Sequence, residues 1–258
     1  QNPISEDLVA MRHSLLPSLL NAVSLNASRQ QSRVALFEIG ANYRQSKSLQ
    51  EQPLEELQLA LVLWGTRHPT NWALAEQDYD FYDLKGLLEL ILPGNELIWE
   101  QGTNPSFHPG RQGRIVYQGQ EVVVYGEVHP AVLRNFKVPG RVYAAELKLE
   151  AILELFGVTP YFHSLPKYPA VDRDLAFIVD RQQAVGELMA ELEQLGGDLL
   201  TKITLFDLYE GKPIPANKKS VAFSFRFQAE RTLTDGEINA IMERLITGLS
   251  VKFGAEIR

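Results

Sequence analysis

Four carboxylates lie close together between residues 76 and 83, and they are the side chains of this sequence that most resemble a metal site. Glu76, Asp78, Asp80 and Asp83 could supply oxygen ligands to a divalent cation. They also lead directly into a segment with helical periodicity, where aspartate is a common capping residue. We therefore expect Asp83 to help begin a helix and the others to be solvated, with no metal bound.

Other side chains that could act in catalysis form no recognised motif. The sequence has no glycine-rich phosphate loop, no Gly-x-Ser-x-Gly and no histidine pair at metal-ligand spacing. The five histidines are scattered, and His108 and His129 each precede a proline, which is typical of a turn. The absence of cysteine excludes disulfides and thiolate metal sites. The sequence thus predicts a chain with neither catalytic residues nor a cofactor of its own.

The composition is that of a soluble globular protein, with 258 residues, of which 45% are hydrophobic and 22% are charged. A net charge of −7 argues against a protein that coats nucleic acid by bulk electrostatics, but it is compatible with a local basic patch. No apolar run approaches the roughly 18 residues needed to span a membrane. We expect a cytoplasmic location and no membrane partner. Because the chain begins with Gln1 rather than Met, we also expect a piece of a longer protein.

Residues 1–159 predict a first domain, an antiparallel sheet with helices. Pro17 suits the first turn of an amphipathic helix. The residues expected to face the core from that helix are Leu19, Leu20, Val23 and Leu25. The other predicted elements are strands 34–40, 57–64, 114–117, 122–128 and 142–149 and helices 81–92, 130–136 and 151–156. Turn residues are expected at 2–5, at 93–94 and in a linker marked by Gly157 and Pro160.

Residues 163–258 predict a second domain with a ferredoxin-like βαββαβ order. The predicted strands are 171–179, 199–209, 220–228 and 251–257, and the predicted helices are 184–195 and 234–249. In the third strand, Phe223, Phe225 and Phe227 alternate with small or polar residues. These phenylalanines should be buried beneath the two helices, which leaves the opposite face of the sheet free for a partner. The fold class is therefore α+β.

Several segments together resemble the C-terminal half of the bacterial phenylalanyl-tRNA synthetase β subunit. They are Asn2-Pro3-Ile4-Ser5, Met11-Arg12-His13-Ser14-Leu15-Leu16-Pro17, Phe37-Glu38-Ile39-Gly40, Phe81-Tyr82-Asp83-Leu84-Lys85-Gly86, His129-Pro130 and the stretch 167–180. Each motif is weak singly, but the combination is specific and spans the whole chain.

This resemblance implies that residues 1–159 are a degenerate class II synthetase-like module without catalytic activity. Class II active sites hold the ATP α-phosphate with an arginine in a Phe-Arg-x-Glu strand. If Phe37-Glu38-Ile39-Gly40 is the equivalent strand, Glu38 takes the place of that arginine. A carboxylate there would repel the phosphate. Residues 143–147 likewise lack the glycine-rich, arginine-bearing pattern of the last class II motif. The module is then expected to pack against the catalytic α subunit.

The resemblance also implies that residues 163–258 are a ferredoxin-fold anticodon-binding domain. Residues that match its pattern are Lys167, Tyr168, Pro169, Arg173, Asp174, Gly211, Lys219, Ser220, Thr232, Leu233 and Arg258. The expected tRNA-binding residues are Lys167, Tyr168, Arg173, Lys212, Lys218, Lys219, Arg226, Lys252 and Arg258. Arg226, Lys252 and Arg258 are expected on the face opposite the phenylalanines. An ion pair is an equally good expectation for Arg173, which lies between two aspartates.

The function implied by the resemblance is that of one part of a phenylalanine–tRNA ligase. The whole enzyme would be an α2β2 assembly that uses ATP and Mg²⁺ to charge tRNA(Phe), with the chemistry in the α subunit. This chain would supply α-subunit packing and contacts with the anticodon stem-loop. Two alternatives remain: an ACT-like module that senses amino acids, since such modules share the βαββαβ order, and a purely structural assembly module.

Overall fold

The computed structural model describes residues 10–46, 51–92, 97–153, 155 and 166–258. The predicted turns at 2–5 and 93–94 and the linker residues Gly157 and Pro160 lie outside these ranges. The chain divides into two compact units, Gln1–Pro160 and Tyr161–Arg258. None of the helices in the described ranges is long and apolar enough to cross a membrane.

The first unit is built on an antiparallel sheet of seven strands. They are β1 (Arg33–Arg44), β2 (Leu54–His68), β3 (Gln77–Asp78), β4 (Ile98–Gln101), β5 (Phe107–Tyr117), β6 (Gln120–Val128) and β7 (Val142–Lys148). Their order is β1-β2-β7-β6-β5-β4, with β3 beside β2. The helices are α1 (Leu16–Ser28), α2 (Phe81–Ile91), α3 (Pro130–Asn135) and α4 (Leu149–Leu153). The predicted sheet with helices is confirmed.

Both faces of this sheet are covered, because alternate residues of its central strands are apolar in both directions. On β7, Val142 and Ala144 belong to the core under α1, whereas Tyr143 and Ala145 belong to the core under α2. The prediction that Leu25 faces the core is wrong, since it is 51% exposed. Two residues after the buried Val23, it lies about 200° further around a helix of 3.6 residues per turn.

Two of the four carboxylates, Asp80 and Asp83, have a structural role at the beginning of α2. Asp80 is the N-cap and accepts hydrogen bonds from the backbone N–H of Tyr82 (2.7 Å) and Asp83 (3.0 Å). The Asp83 carboxylate accepts the backbone N–H of Asp80 in return (2.9 Å), which completes a capping box. The expected role of Asp83 is confirmed, but the expectation that Asp80 is merely solvated is wrong, because Asp80 is the N-cap. In the described ranges no three His, Asp or Glu residues are placed to hold a metal.

The second unit has a four-stranded antiparallel sheet with two helices. Its elements are β8 (Val171–Asp180), α5 (Val185–Gly196), β9 (Leu200–Tyr209), β10 (Lys218–Phe227), α6 (Asp235–Phe253) and β11 (Glu256–Ile257). The strand order is β11-β8-β10-β9. Phe223, Phe225 and Phe227 are fully buried in one core with residues of both helices. Burying each such side chain contributes about 1.5–3 kcal/mol, so the phenylalanine stripe holds the helices to one face. The ferredoxin-like prediction is confirmed.

The last predicted strand, 251–257, is wrong in its first half. Helix α6 continues to Phe253 and ends where Gly254 adopts a left-handed conformation (φ +62°), its N–H donating to Ser250 O (3.0 Å). Lys252 is therefore a helix residue, and its ammonium pairs with Glu191 of α5. It does not project from the face opposite the phenylalanines, because it lies on the helix side of the sheet.

Candidate nucleic-acid interface

The sheet of the second unit has an open face, since α5 and α6 both pack against the phenylalanine side. The residues of β10 that point to the open face are Ser220, Ala222, Ser224 and Arg226, and those of β8 opposite them are Ile178, Ala176, Asp174 and Asp172. Most side chains in the middle are small. The middle of the face is therefore shallow, and its charged groups are the carboxylates of Asp174 and, opposite Ala222 on β9, Asp207. The cations lie toward its ends.

Arg226 and Asp172 form a two-pronged ion pair at one end of the open face. Arg226 Nε lies 2.8 Å from Asp172 Oδ1, and Nη2 lies 3.0 Å from Oδ2. These hydrogen bonds lower the pKa of Asp172 and raise that of Arg226. Lys202 of β9 is directly opposite Arg226 in the register. Together with Thr204 and Ser224 they line a shallow polar cavity.

The other end of the face is formed by the chain terminus and the ends of β9 and β10. The backbone N–H of Arg258 donates to Ala176 O (3.0 Å), and the Arg258 guanidinium lies 5.8 Å from the centroid of the Tyr209 ring. Arg258 Nη1 also donates to Ser220 Oγ (3.4 Å). Lys218 pairs with Glu256 of β11. Two cations and one aromatic ring therefore meet here.

Tyr168 lies beside the first end of the face, because its carbonyl accepts a hydrogen bond from Gln228 Nε2 (3.0 Å) just after β10. Its side chain and the neighbouring Lys167 are exposed. Lys212 lies in the loop between β9 and β10, where its carbonyl accepts the Tyr209 hydroxyl hydrogen (2.7 Å). These three predicted residues border the open face.

Two further predicted residues point to the helix side. Arg173 is opposite Phe225 in the register, and its Nη2 lies 3.1 Å from Oδ1 of Asp235, the first residue of α6. Arg173 therefore forms an ion pair, although with Asp235 rather than with the aspartates beside it in sequence, and its contact with RNA stays a prediction. Lys219 is opposite the buried Val179 and is only 8% exposed. Neither residue shares a surface with Arg226.

The sequence interpretation missed three residues of this region. Lys202 and Tyr209 are identified by strand register, which places them opposite Arg226 and Ser220. Phe206 is 56% exposed at an irregularity in the pairing of β9 with β10. Alternation along β9 could have indicated Lys202, but the irregularity interrupts the period of two before Tyr209.

In the first unit, Glu38 is paired rather than free. Arg12 Nη1 lies 2.6 Å from Glu38 Oε1, and Ser18 Oγ donates to Oε2 (2.5 Å). Arg12 also donates through Nε to Ala41 O (2.9 Å). The carboxylate thus ties the segment before α1, and α1 itself, to strand β1. Arg12, the cation that pairs with Glu38 among the described residues, is thus already engaged by a carboxylate of the chain.

The first unit also exposes an apolar surface, which we define as the β1–α2 surface. It consists of Phe37 and Ile39 of the edge strand β1 and Tyr82, Leu87 and Leu90 of α2. Phe37 is 72% exposed and Leu90 is 79% exposed. A cavity whose lining includes Ala35, Gly86 and Leu87 lies between the strand and the helix. Grouped exposed apolar side chains of this kind mark interaction sites.

Two family models match the chain. Residues 1–149 match the phenylalanyl tRNA synthetase beta chain CLM domain, and residues 166–258 match the ferredoxin-fold anticodon binding domain. Among curated proteins, the chain is 37% identical over its full length to 29% of the phenylalanine–tRNA ligase beta subunit of Symbiobacterium thermophilum. It is 41% identical, again over its full length, to 32% of the beta subunit of Moorella thermoacetica. The chain spans about a third of the length of these relatives.

Among solved structures, a pyrrolysyl-tRNA synthetase from Desulfitobacterium hafniense is similar over 56% of this chain and 49% of its own, with a TM-score of 0.41 and 16% identity. This similarity is too low to support an argument about fold or function.

Proposed function

Because the chain belongs to the phenylalanyl-tRNA synthetase β-chain family, we propose that it is the tRNA-binding and subunit-assembly part of a phenylalanine–tRNA ligase β subunit. The whole enzyme would charge tRNA(Phe) with phenylalanine by using ATP and Mg²⁺, as an α2β2 assembly in the cytoplasm. The observation that carries the proposal is the open sheet face, with cations at its ends and a shallow middle.

The anticodon stem-loop is the RNA element that suits this face best. Its loop bases are single-stranded, so they can stack on aromatic side chains while lysines and arginines pair with the phosphates. The cations proposed to contact the RNA are Lys167, Lys202, Lys212, Lys218, Arg226 and Arg258. Tyr168, Phe206 and Tyr209 are the exposed rings available for stacking. We leave Arg173, Lys219 and Lys252 out of this surface because they lie on the helix side.

A matched pair of lysine substitutions tests the RNA-binding surface. Lys202→Gln removes a cation from the open face, and Lys252→Gln removes one from the helix side. We expect Lys202→Gln to weaken binding of a tRNA(Phe) anticodon stem-loop and to reduce the salt dependence, d log K/d log[salt], by about 1. Lys252→Gln should leave both unchanged. Fluorescence anisotropy titrations between low and moderate salt measure both quantities, and equal weakening by the two variants would contradict the proposal.

For assembly, we propose that the β1–α2 surface contacts the catalytic α subunit. Exposed rings and aliphatic side chains on an edge strand and an adjoining helix are typical of obligate subunit interfaces. Catalysis by this chain alone is not part of the proposal: if Phe37-Glu38-Ile39-Gly40 is the equivalent of the class II strand, a carboxylate paired with Arg12 stands where a free cation would be needed. The purified chain should form no phenylalanyl-adenylate from ATP and phenylalanine, and formation of that adenylate would overturn this assignment.

A further inference from the structure

A polar pocket of about 210 Å³ lies in the first unit, on the sheet face that carries α1. Its floor is formed by side chains of the central strands β2 and β7, and the segment before α1 and the residues before β5 form part of its wall. The lining residues used below are His13, Gln58, Asn104, Ser106, Glu146 and Lys148. None of them belongs to the RNA-binding face or to the β1–α2 surface.

Strand register places three polar groups side by side on the floor. Gln58 is directly opposite Lys148, and Glu146 is two residues earlier on the same strand and therefore on the same face. Side chains opposite each other on adjacent strands have Cβ atoms about 5 Å apart. Same-face neighbours along a strand are about 7 Å apart. A cation, an anion and an amide thus lie within the span of one small molecule.

Two buried polar residues, Gln58 of the pocket lining and Asn42 next to it but outside the lining, are not explained by the packing of the sheet. Gln58 begins an otherwise apolar buried run in β2, and Asn42 of β1 is fully buried beside it. Asn42 Nδ2 donates to Gln58 Oε1 (2.5 Å), but Asn42 Oδ1 has no hydrogen-bond partner among the described residues. An unsatisfied buried acceptor costs about 1–3 kcal/mol, whereas an apolar pair would cost little. The Asn42–Gln58 pair therefore indicates a role other than stability.

Two charged side chains on the floor, Glu146 and Lys148, are not fully paired with other described residues. Glu146 Oε1 accepts hydrogen bonds from Ser14 Oγ (2.6 Å) and from the backbone N–H of Leu15 (2.7 Å) and Leu16 (3.2 Å), whereas Oε2 accepts none from the described residues. Lys148 forms no ion pair with any described carboxylate. With respect to the described residues, a carboxylate oxygen and an ammonium group without partners therefore face the same pocket.

We propose that this pocket binds a small zwitterion of the α-amino acid class. The ligand carboxylate pairs with Lys148, the ligand ammonium pairs with Glu146 Oε2, and the Gln58 amide contacts the carboxylate. The walls favour a short polar side chain, because Asn104 and Ser106 supply polar groups and the volume is small. His13 adds an acceptor: its Nδ1 must donate to Tyr43 O (2.6 Å), so Nε2 of the neutral ring has a free lone pair.

Calorimetric titration of the 258-residue chain with glycine, L-alanine, L-serine and L-asparagine tests the site. Acetate, ethylammonium and inorganic phosphate serve as single-charge probes. We expect saturable binding of at least one of the four amino acids, at least tenfold tighter than any single-charge probe. Absence of saturable binding by all four, or phosphate or acetate binding as tightly as the amino acids, would overturn the proposal.

Two variants locate the binding. Lys148→Met should weaken it at least tenfold, whereas Lys137→Met, which changes an exposed lysine outside the pocket, should leave it unchanged. The double variant Asn42→Leu/Gln58→Leu should keep its thermal unfolding midpoint, because both buried partners become apolar together, and should still lose binding. Binding that persists in Lys148→Met would place the amino acid elsewhere, as the ACT-like alternative requires. RNA binding is measured in a separate titration, so the amino-acid site and the RNA-binding surface can each be refuted without the other.

Discussion

The ion pair between Arg226 and Asp172 affects the availability of a charge more than it affects stability. Both side chains are exposed, and exposed ion pairs contribute little to the free energy of folding. The pair does, however, engage Nε and Nη2 of the guanidinium and offsets the positive charge that the open face would present to a phosphate. On the proposed RNA-binding surface, Asp172 would therefore compete with RNA for Arg226.

The change Asp172→Asn should release Arg226 and strengthen binding of the anticodon stem-loop severalfold at low salt. The salt dependence, d log K/d log[salt], should steepen by about 1, because one more cation is free to displace counterions. Asp198→Asn changes net charge equally but lies in the turn between α5 and β9, so it serves as the matched control. Affinity that rises equally in both variants would indicate a general charge effect and contradict the competition.

At the scale of elements, α6 begins with a cap that responds to pH. Thr234 and Glu237 form a capping box, and Glu237 also binds Arg231 (Nη1 to Oε2, 2.9 Å). The hydrogen bonds from Arg231, followed by those from Thr234, lower the pKa of Glu237 from 4.5 to about 2. Since the folded pKa lies below the unfolded one, the stabilisation is complete above about pH 4.5 and is lost as the pH falls toward 2.

The change Glu237→Gln should therefore lower the thermal unfolding midpoint at neutral pH and reduce the loss of stability between pH 4.5 and pH 2. The midpoints of the two proteins should converge as the pH falls to about 2 and below, because Glu237 of the parent becomes protonated in that range. Thermal unfolding followed by circular dichroism across this range gives the comparison. Glu243→Gln, on the same helix but outside the cap, should leave the shape of the pH curve unchanged. A constant offset between Glu237→Gln and the parent at all pH values would refute this linkage.

The phenylalanine stripe gives a prediction about packing. Phe223→Ala should destabilise the second unit by about 3–5 kcal/mol, since Phe223 is fully buried between the sheet and both helices. Phe206→Ala should change stability by less than about 1 kcal/mol, because Phe206 is largely exposed. Urea denaturation of both variants measures the difference. Comparable losses would mean that Phe206 is packed rather than available for stacking.

The sequence predicted the elements with strong periodicity and missed features set by three-dimensional contacts. The alternation of Phe223, Phe225 and Phe227 predicted both the core face and the open face. The predicted strands 114–117 and 122–128 pair as the β5–β6 hairpin, whose turn residues Gln118 and Gly119 both have positive φ. In contrast, Val251, Phe253, Ala255 and Ile257 also fit a period of two, so the sequence pattern around Lys252 predicts a strand. The segment is helical through Phe253, and this places Phe253 against the core of the second unit.

The individual site residues were harder to predict than the fold. A lysine or arginine can lie on either face of a strand, so the residue type alone does not predict which face it occupies. Register assigns Arg173 and Lys219 to the helix side and brings Lys202 next to Arg226. A shift of one residue would reverse these assignments, so the pairing of strands, not composition, determines which cations share a surface.

At the scale of the whole molecule, the proposed roles use different surfaces on different units. The RNA-binding face belongs to the second unit, and the β1–α2 surface belongs to the first. A chain with a net charge of −7 can bind RNA only through such a local concentration of cations. The two functions should therefore be separable by substitution, which distinguishes our proposal from a purely structural assembly module.

Two double variants test this separation in the full chain. Lys202→Gln/Arg226→Gln should lose RNA affinity at least tenfold and still co-purify with the catalytic α subunit. Phe37→Asp/Leu90→Asp should keep RNA affinity and lose co-purification, because charges replace apolar contacts at the centre of the interface. Val251→Asp, an exposed apolar position of the second unit, is the control for the added charge. Size-exclusion chromatography and anisotropy report the two properties independently.

The outcomes that would contradict the separation differ for the two variants. If the first double variant keeps its RNA affinity, the assembly-only alternative is favoured. If the second double variant still co-purifies with the α subunit, the β1–α2 surface is not the interface.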